Sequence, residues 1–135
     1  MIPKPFFDTN VLVYTVSDRD SRKNRAAAII ATGGIVSVQI LNEFVNVARL
    51  KLKKDWGVIL EALDSFGRLL EPPMPLTFDL HRSALDISRR YGFTIYDSLI
   101  LSAAKEARCR VLYTEDLQDG QTIEGVLVRN PFTGA

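Results

Sequence analysis

Hydrophobic residues along this chain form short continuous runs that alternate with longer stretches of helical periodicity. Short buried strands separated by helices indicate right-handed βαβ units and a parallel sheet with helices on both faces. The continuous runs predict strands at Phe6–Phe7, 35–37, 110–113 and 126–128, with an extended piece at 74–76. The periodic stretches predict six helices: 10–16, one after a turn at 18–21, one capped by Ser37, one from Asp55, one from Thr77, and 95–108.

Apolar stripes indicate which face of each helix is buried. Gly33 and Gly34 are expected to end the second helix, and Gly92 the fifth, because glycine is common just beyond helix C-termini. The third helix carries the stripe Leu41, Phe44, Val45, Ala48 and Leu52, and the fifth carries Leu80, Ala84, Ile87 and Tyr91.

Length and composition indicate one domain that spans residues 1–135. The 135 residues are 47% hydrophobic, which is enough for a substantial core. Lys and Arg number 17 against 16 Asp and Glu, so the net charge is only +1. Because no global excess of positive charge is present, contact with a nucleic acid would have to come from local clusters.

The single Cys109 and the single His81 restrict the chemistry of the chain. They exclude a disulfide framework and a Cys/His zinc site, which needs about four such ligands. A Ser-His or Cys-His catalytic system would need His81 as its base, because the chain has no other histidine. His81 is instead expected on a helix surface. The first residues do not resemble a signal peptide, and no run approaches the ~20 apolar residues of a membrane span. We therefore expect a soluble protein in a reducing, cytoplasmic setting.

Four carboxylates stand out by their position. Asp8 and Asp116 each follow a predicted strand, where open α/β sheets bind ligands. Glu43 and Asp97 lie on or beside the apolar stripes of their helices, so both are expected to face protein, where an unpartnered carboxylate is costly. Each acid also has an ordinary explanation: Asp8 as a helix-start residue, Asp97 in a capping box after Thr94, and Asp116 as a turn residue.

If these acids converge, they require protons or a cation. Two unit charges ~4 Å apart repel by about 4 kcal/mol at an effective dielectric of ~20. Ligands that are all oxygen suit Mg²⁺ or Mn²⁺, which promote phosphoryl chemistry by activating water and stabilising the leaving oxygen. Glycosidase chemistry also uses carboxylates, but it does not need four of them.

Four sequence blocks resemble those of PIN-domain ribonucleases, specifically VapC-type toxins of bacterial toxin–antitoxin systems. The blocks are Asp8-Thr9-Asn10, Leu41-Asn42-Glu43-Phe44, the stretch 91–100 (YGFTIYDSLI), and Tyr113-Thr114-Glu115-Asp116. The resemblance covers nearly the whole chain. It implies an α/β fold, a three-layer α/β/α sandwich with a central parallel sheet of about five strands.

The resemblance also implies a site and an activity. Asp8, Glu43, Asp97 and Asp116 would be the catalytic and metal-binding acids, and Mg²⁺, with Mn²⁺ as a substitute, the cofactor. Expected activity is RNA cleavage to a 5′-phosphate and a 3′-hydroxyl, with a homodimer and a cognate VapB-type antitoxin as assembly partners. Whether Glu115 or Asp116 faces the metal is left open. Supporting polar residues would be Thr9, Asn10 and Thr114, with Asp119 as an outer contact.

Two basic clusters are candidates for contact with RNA phosphates. An ordinary solvated helix face is the favoured explanation of each cluster. No RNP-like aromatic and basic pattern is present, so no sequence-reading module is indicated. The clusters are Arg49, Lys51, Lys53 and Lys54, and Arg19, Arg22, Lys23 and Arg25; among them Arg19, Arg22, Arg49 and Lys53 are the substrate-binding candidates.

Three other functions are weighed against the nuclease. A receiver-like phosphoacceptor domain would place an acidic pair early and a Lys after a late strand, but Asp8 has no acidic neighbour and Thr114 follows the late strand. A phosphatase with an Asp-x-Asp pair fails because the second position is Asn10. The other candidate is a non-catalytic PIN-like module that binds RNA or a protein partner.

Overall fold

A central sheet flanked by helices forms the architecture in the computed structural model, which describes residues 3–133. The predicted α/β class is therefore confirmed. In chain order the elements are β1 (Phe6–Phe7), α1 (Thr9–Tyr14), α2 (Lys23–Ala31), α3 (Val38–Leu50), α4 (Trp56–Leu69), α5 (Phe78–Tyr91), α6 (Ile95–Glu106), β2 (Val111–Tyr113), β3 (Thr122–Ile123) and β4 (Val126–Arg129).

The sheet has the strand order β1-β2-β4-β3. β1 pairs in parallel with β2, so that Phe6 lies opposite Leu112, and β2 pairs in parallel with β4. This arrangement brings the carboxyl ends of β1 and β2 to one edge of the sheet. The residues that follow the two strands, Asp8 and Thr114, therefore meet there.

The sheet has four strands in the described residues, where about five parallel strands were expected. Segments 35–37 and 74–76 contribute only single bridges, Ile35 with Phe6 and Ser37 with Met74. Pro73 and Pro75 flank Met74 and have no amide hydrogen, so they cannot donate to a longer ladder there. The sequence pattern correctly predicts extended chain at both places, but not how few pairs form.

β3 was not predicted, and it runs antiparallel to β4 rather than parallel. Glu124 and Gly125 join the two strands and both have positive φ angles, 52° and 82°. Two such residues make the tight turn that suits a hairpin. Glutamate is unusual in that position, which is why the turn was not recognised from the sequence.

Four helices begin at the side-chain caps that the sequence predicts. In each case the side chain of the cap accepts a hydrogen bond from a backbone N–H three residues later, which satisfies one free donor of the helix terminus. The caps are Ser37 on α3, Asp55 on α4, Thr77 on α5 and Thr94 on α6.

The core surrounds the short parallel strands. Phe6, Phe7 and Leu112 are fully buried, and the Phe7 ring stacks on Tyr113. Gly34 passes so close to Phe7 that an added Cβ atom would lie 2.3 Å from the ring. Tyr91 was expected in the buried stripe of α5, but it is 40% exposed.

The single histidine and the single cysteine of the chain lie in different environments. His81 is exposed, as expected, and it stacks on Phe78. Cys109 is a buried free thiol. Across residues 3–133, the structure contains no helix that combines the length and apolarity needed to cross a bilayer.

Candidate functional site

Asp8 has both of the roles that its sequence position suggested. It follows β1 directly and caps α1, where its Oδ1 accepts a hydrogen bond from the Thr9 amide at 2.6 Å. Its Oδ2 accepts a second bond from Thr114 Oγ1, also at 2.6 Å. The residue is only 4% exposed. The strand end and the helix start together fix this carboxylate inside the protein.

The electrostatic environment of Asp8 disfavours its charge. Burial raises the pKa of Asp8 to about 7, against 3.8 for the free side chain, and this outweighs the lowering by the hydrogen bonds from Thr114 and Thr9. The negative charges of Asp116 and Glu43 make smaller contributions to this increase in pKa. Asp8 therefore lies close enough to two other predicted acids to be influenced by their charge.

Glu43 is oriented by hydrogen bonds at both carboxylate oxygens. Thr9 Oγ1 donates to its Oε2 at 2.5 Å, and Gln39 Nε2 donates to its Oε1 at 3.1 Å. Thr9 thus binds Asp8 through its amide and Glu43 through its hydroxyl. Gln39 was missed in the sequence, although its spacing of four residues from Glu43 places both side chains on one face of α3.

Asp97 lies in the capped first turn of α6, and its carboxylate is also close enough to other acids to be influenced by their charge. Its amide donates to Thr94 Oγ1 at 3.1 Å, as a capped first turn requires. Its carboxylate is half-buried. Burial and the charge of Asp116 raise the pKa of Asp97, the Thr94 hydrogen bond lowers it, and Glu43 adds a smaller increase. The helix start therefore directs this acid toward Asp116 and Glu43.

The structure separates the three acids of segment 115–119. Asp116 is exposed, its amide donates to Thr114 Oγ1 at 3.0 Å, and its Oδ2 accepts a long hydrogen bond of 3.4 Å from Asn10 Nδ2. Glu115 instead contacts Tyr14 and Arg22. Asp119 accepts a hydrogen bond from the Asn130 amide at 2.9 Å, which ties it to the chain after β4.

The chemistry of this site fits a hard divalent cation. Asp8, Glu43, Asp97 and Asp116 supply only oxygen donors, and their mutual repulsion would be relieved by positive charge. The Asn10 Oδ1 atom is buried and has no hydrogen-bond partner in the described residues. In residues 3–133 no three Asp, Glu, His or Cys side chains are grouped closely enough to enclose an ion. The acids therefore match the ion in donor chemistry and charge, without forming a closed group of three.

A cleft of about 840 Å³ connects part of this site to basic residues. Of the predicted substrate-binding residues, Arg19 and Arg22 line the cleft, whereas Arg49 and Lys53 do not. Arg49 lies over the Trp56 ring, with its guanidinium carbon 4.8 Å from the ring centroid. The cleft is lined by Thr9, Asn10, Glu43 and Asp116 together with Arg19, Arg22, Lys51 and Lys54, among others.

Comparison with protein families gives a match to the PIN domain over residues 6–118. A comparison with curated proteins gives no significant match. Among solved structures, the chain is similar to the sarcin-ricin loop cleaving toxin VapC20 of Mycobacterium tuberculosis, with 16% identity, a TM-score of 0.69, and coverage of 83% of this chain and 89% of that one.

Two toxin–antitoxin assemblies are also similar in structure. A toxin–antitoxin complex from Klebsiella pneumoniae has 22% identity and a TM-score of 0.68, with coverage of 95% of this chain and 98% of that one. DNA-bound VapBC from Salmonella typhimurium has 21% identity and a TM-score of 0.67, with coverage of 96% and 98%. At these identities the similarities show a shared fold.

Proposed function

This chain belongs to the PIN domain family, and from that premise we propose that it is a metal-dependent endoribonuclease that acts as the VapC-type toxin of a toxin–antitoxin pair. The main support is a hydrogen-bond network that joins three of the four acids. Thr9 links Glu43 to Asp8, and Thr114 links Asp8 to the backbone of Asp116. One bond in this network also caps α1, and the others bring the supports of three carboxylates together.

In this proposal the four acids are the metal ligands, and neighbouring polar residues orient them. Asp8, Glu43, Asp97 and Asp116 would hold Mg²⁺ or Mn²⁺. When bound, such an ion activates water for in-line attack on a phosphodiester and stabilises the leaving oxygen. Thr9 and Thr114 fix the orientation of Asp8, and Asn10 contacts Asp116. Cleavage would leave a 5′-phosphate and a 3′-hydroxyl.

The basic residues of the cleft would bind the RNA backbone. Arg19 and Lys51 line it and make no salt bridge within residues 3–133. Lys54 also lines it, but its charge is shared with Asp18 at 2.5 Å. Positive charge beside the acids would offset the repulsion between a carboxylate-rich site and a polyanion.

Partners and location follow from the same proposal. The similar structures from Klebsiella pneumoniae and Salmonella typhimurium are toxin–antitoxin complexes, which supports a cognate VapB-type antitoxin for this chain. We also propose a homodimer and a cytoplasmic location. Membership of the PIN domain family favours a nuclease over a receiver-like domain. A cleavage assay distinguishes a nuclease from a non-catalytic PIN-like module.

Cleavage of a panel of RNAs tests the nuclease. We expect products with Mg²⁺, none with EDTA, and a loss of at least ~100-fold in rate for Asp97→Asn, since this change removes one anionic ligand from the site. Asp79→Asn is the matched control because Asp79 is likewise an acid in the first turn of a helix, α5. Cleavage that persists in EDTA and in Asp97→Asn would refute the proposal.

A growth assay tests the toxin part separately. Expression of the chain alone should arrest growth, and co-expression with a cognate antitoxin, sought in the adjacent reading frame, should restore growth. Asp97→Asn should be harmless in the same assay. Growth arrest that is equal for the wild type and for Asp97→Asn would mean that toxicity does not come from the acidic site.

A further inference from the structure

Glu115 lies between two residues of the acidic site, but its side chain has other partners. Its Oε1 accepts a hydrogen bond from the Tyr14 hydroxyl, and its Oε2 accepts one from Arg22 Nη1 at 3.2 Å. Arg22 is itself held by Asp20, with two nitrogens each 2.9 Å from a carboxylate oxygen. The Arg22 guanidinium lies 4.1 Å from the centroid of the Tyr14 ring. We call these residues, Tyr14, Asp20, Arg22 and Glu115, the Glu115 clamp.

The clamp is one of three successive attachments of the chain after β2. Thr114 is attached to Asp8, Glu115 to the clamp, and Asp116 to Asn10. The last attachment is the weakest, because Asp116 is exposed and its carboxylate accepts only the 3.4 Å bond from Asn10 among the described residues. The position of Asp116 therefore depends on the residues before it.

We propose that Glu115 is a positioning residue, which acts through the clamp to hold Asp116 toward the other three acids. This inference rests on the proposed function, since it concerns an acid that would hold the divalent cation. The Glu115 carboxylate faces Tyr14 and Arg22 and, within residues 3–133, makes no hydrogen bond to the residues that hold the other acids. It anchors the loop to α1 and to the start of α2, and Asp116 follows it directly.

A second cluster of the same chemistry supplies a control. Glu124 accepts hydrogen bonds from the Tyr91 hydroxyl at 2.9 Å and from Arg90 and Lys105 at 3.2 Å each. It lies in the turn between β3 and β4, and it makes no hydrogen bond to the four acids. Both clusters join a glutamate to a tyrosine and to at least one cation, but only the Glu115 clamp is adjacent to the site.

Calorimetric titration with Mn²⁺ tests this inference without requiring turnover. We expect Glu115→Ala to weaken Mn²⁺ binding by about tenfold or more, as is typical when a residue that supports a metal ligand is removed. Tyr14→Phe should weaken it in the same direction, because it removes one attachment of Glu115 while it keeps the ring. Glu115→Gln retains the shape and one acceptor for Tyr14, so it should have a smaller effect.

The control variants Glu124→Ala and Tyr91→Phe should bind Mn²⁺ like the wild type, even if they unfold at lower temperature. Circular dichroism confirms that each variant is folded. Wild-type affinity in both Glu115→Ala and Tyr14→Phe would overturn the inference. An increase in affinity for Tyr14→Phe would also overturn it, because Glu115 would then be a ligand released from its hydrogen bond.

The same titration separates this inference from the proposed function. If the wild type binds Mn²⁺ and cleaves RNA but Glu115→Ala binds equally well, only the role of Glu115 is refuted. If the wild type binds no Mn²⁺ and cleaves no RNA, the proposed function and the inference both fail.

Discussion

Thr9 shows how an uncharged residue can organise several charged ones. Its amide donates to Asp8 and its hydroxyl donates to Glu43. One threonine therefore orients a carboxylate at the end of β1 and another on α3. Hydrogen bonds to ionised acceptors are about twice as strong as neutral ones. The β-branched side chain also has few rotamers in a helix, which limits where its hydroxyl can point. The geometry of the acids is therefore set partly by a side chain that has no charge.

Cys109 is a residue whose titration can be predicted from its burial. Burial raises the pKa of the Cys109 thiol to about 11, from 9.0. The unfolded chain therefore loses this proton first as the pH rises, so unfolding becomes more favourable between about pH 9 and pH 11. From the linkage relation, the Cys109 contribution lowers the unfolding free energy by about 1 kcal/mol at pH 10 relative to pH 8.

Urea unfolding of the wild type and of Cys109→Ala at pH 8 and pH 10 measures this contribution. Other groups titrate in the same range in both proteins, so the difference between their pH dependences isolates the thiol. The wild type should lose more stability than the variant. Equal losses would show that the thiol ionises as readily in the folded protein as in the unfolded chain. Native Cys109 should also react slowly with iodoacetamide at pH 8.

The connection after α2 is constrained at two successive glycines. Gly33 has a φ angle of 93°, which ends the helix as the sequence predicts. Gly34 has a different purpose that the sequence did not indicate, because the edge of the Phe7 ring occupies the space beside it. Phe7 is fully buried and directly precedes Asp8. The packing of this glycine thus supports the strand that carries the first acid.

Gly34→Ala should destabilise the protein. The added Cβ atom would lie 2.3 Å from the Phe7 ring and 2.9 Å from the Pro5 carbonyl oxygen, so core atoms must move. We expect a loss of about 1–3 kcal/mol in unfolding free energy by urea titration. Gly67→Ala in α4 is the control, because nothing lies within 4 Å of its added Cβ atom. That change should instead stabilise the protein by about 0.5–1 kcal/mol.

The elements that the sequence predicted well are those with local causes. Ser37 and Thr94 begin helices because a side-chain oxygen near the helix start is sufficient to cap it. Ile35 and Met74 were expected in strands, but each forms only a single bridge. The number of paired residues in a strand depends on the neighbouring segment, which the local sequence does not specify. β3 was missed because the turn that joins it to β4 has a glutamate at a position with positive φ, which is not a recognisable turn signal.

The site divides in a similar way. All four acids were singled out by local patterns, Asp8 and Asp116 at strand ends and Glu43 and Asp97 beside apolar helix stripes, and the family resemblance assigned them the metal-binding role. The partners of Glu115 could not be predicted, since Tyr14 and Arg22 lie 101 and 93 residues away in sequence. Gln39 was missed because its role follows from the orientation of Glu43. Contacts between distant segments determine these roles.

At the scale of the whole molecule, the site is assembled from segments far apart in the chain. Asp8 follows β1, Glu43 lies on α3, Asp97 begins α6 and Asp116 follows β2. The unfolded chain cannot bring these residues together. A cation that binds only the folded protein stabilises it, by about 2.7 kcal/mol when its concentration is 100 times its Kd.

Thermal unfolding with and without Mg²⁺ should reveal this coupling. We expect Mg²⁺ to raise the Tm of the wild type and to have little effect on Asp8→Asn, which has lost a central carboxylate. Asp119→Asn should respond like the wild type, because Asp119 is bound to the Asn130 amide and not to the acids. A lost response in Asp119→Asn would instead place Asp119 in the site.

The hydrogen bond between Asp8 and Thr114 spans 106 positions of the chain, and this has a consequence for the gene. A premature stop codon or a frameshift anywhere before codon 114 removes Thr114 and Asp116 from the product, whatever else is translated. The codons for residues 1–114 are therefore all targets for inactivating mutations. If the protein is toxic, such alleles should accumulate quickly in cells that lose the gene for the neutralising partner.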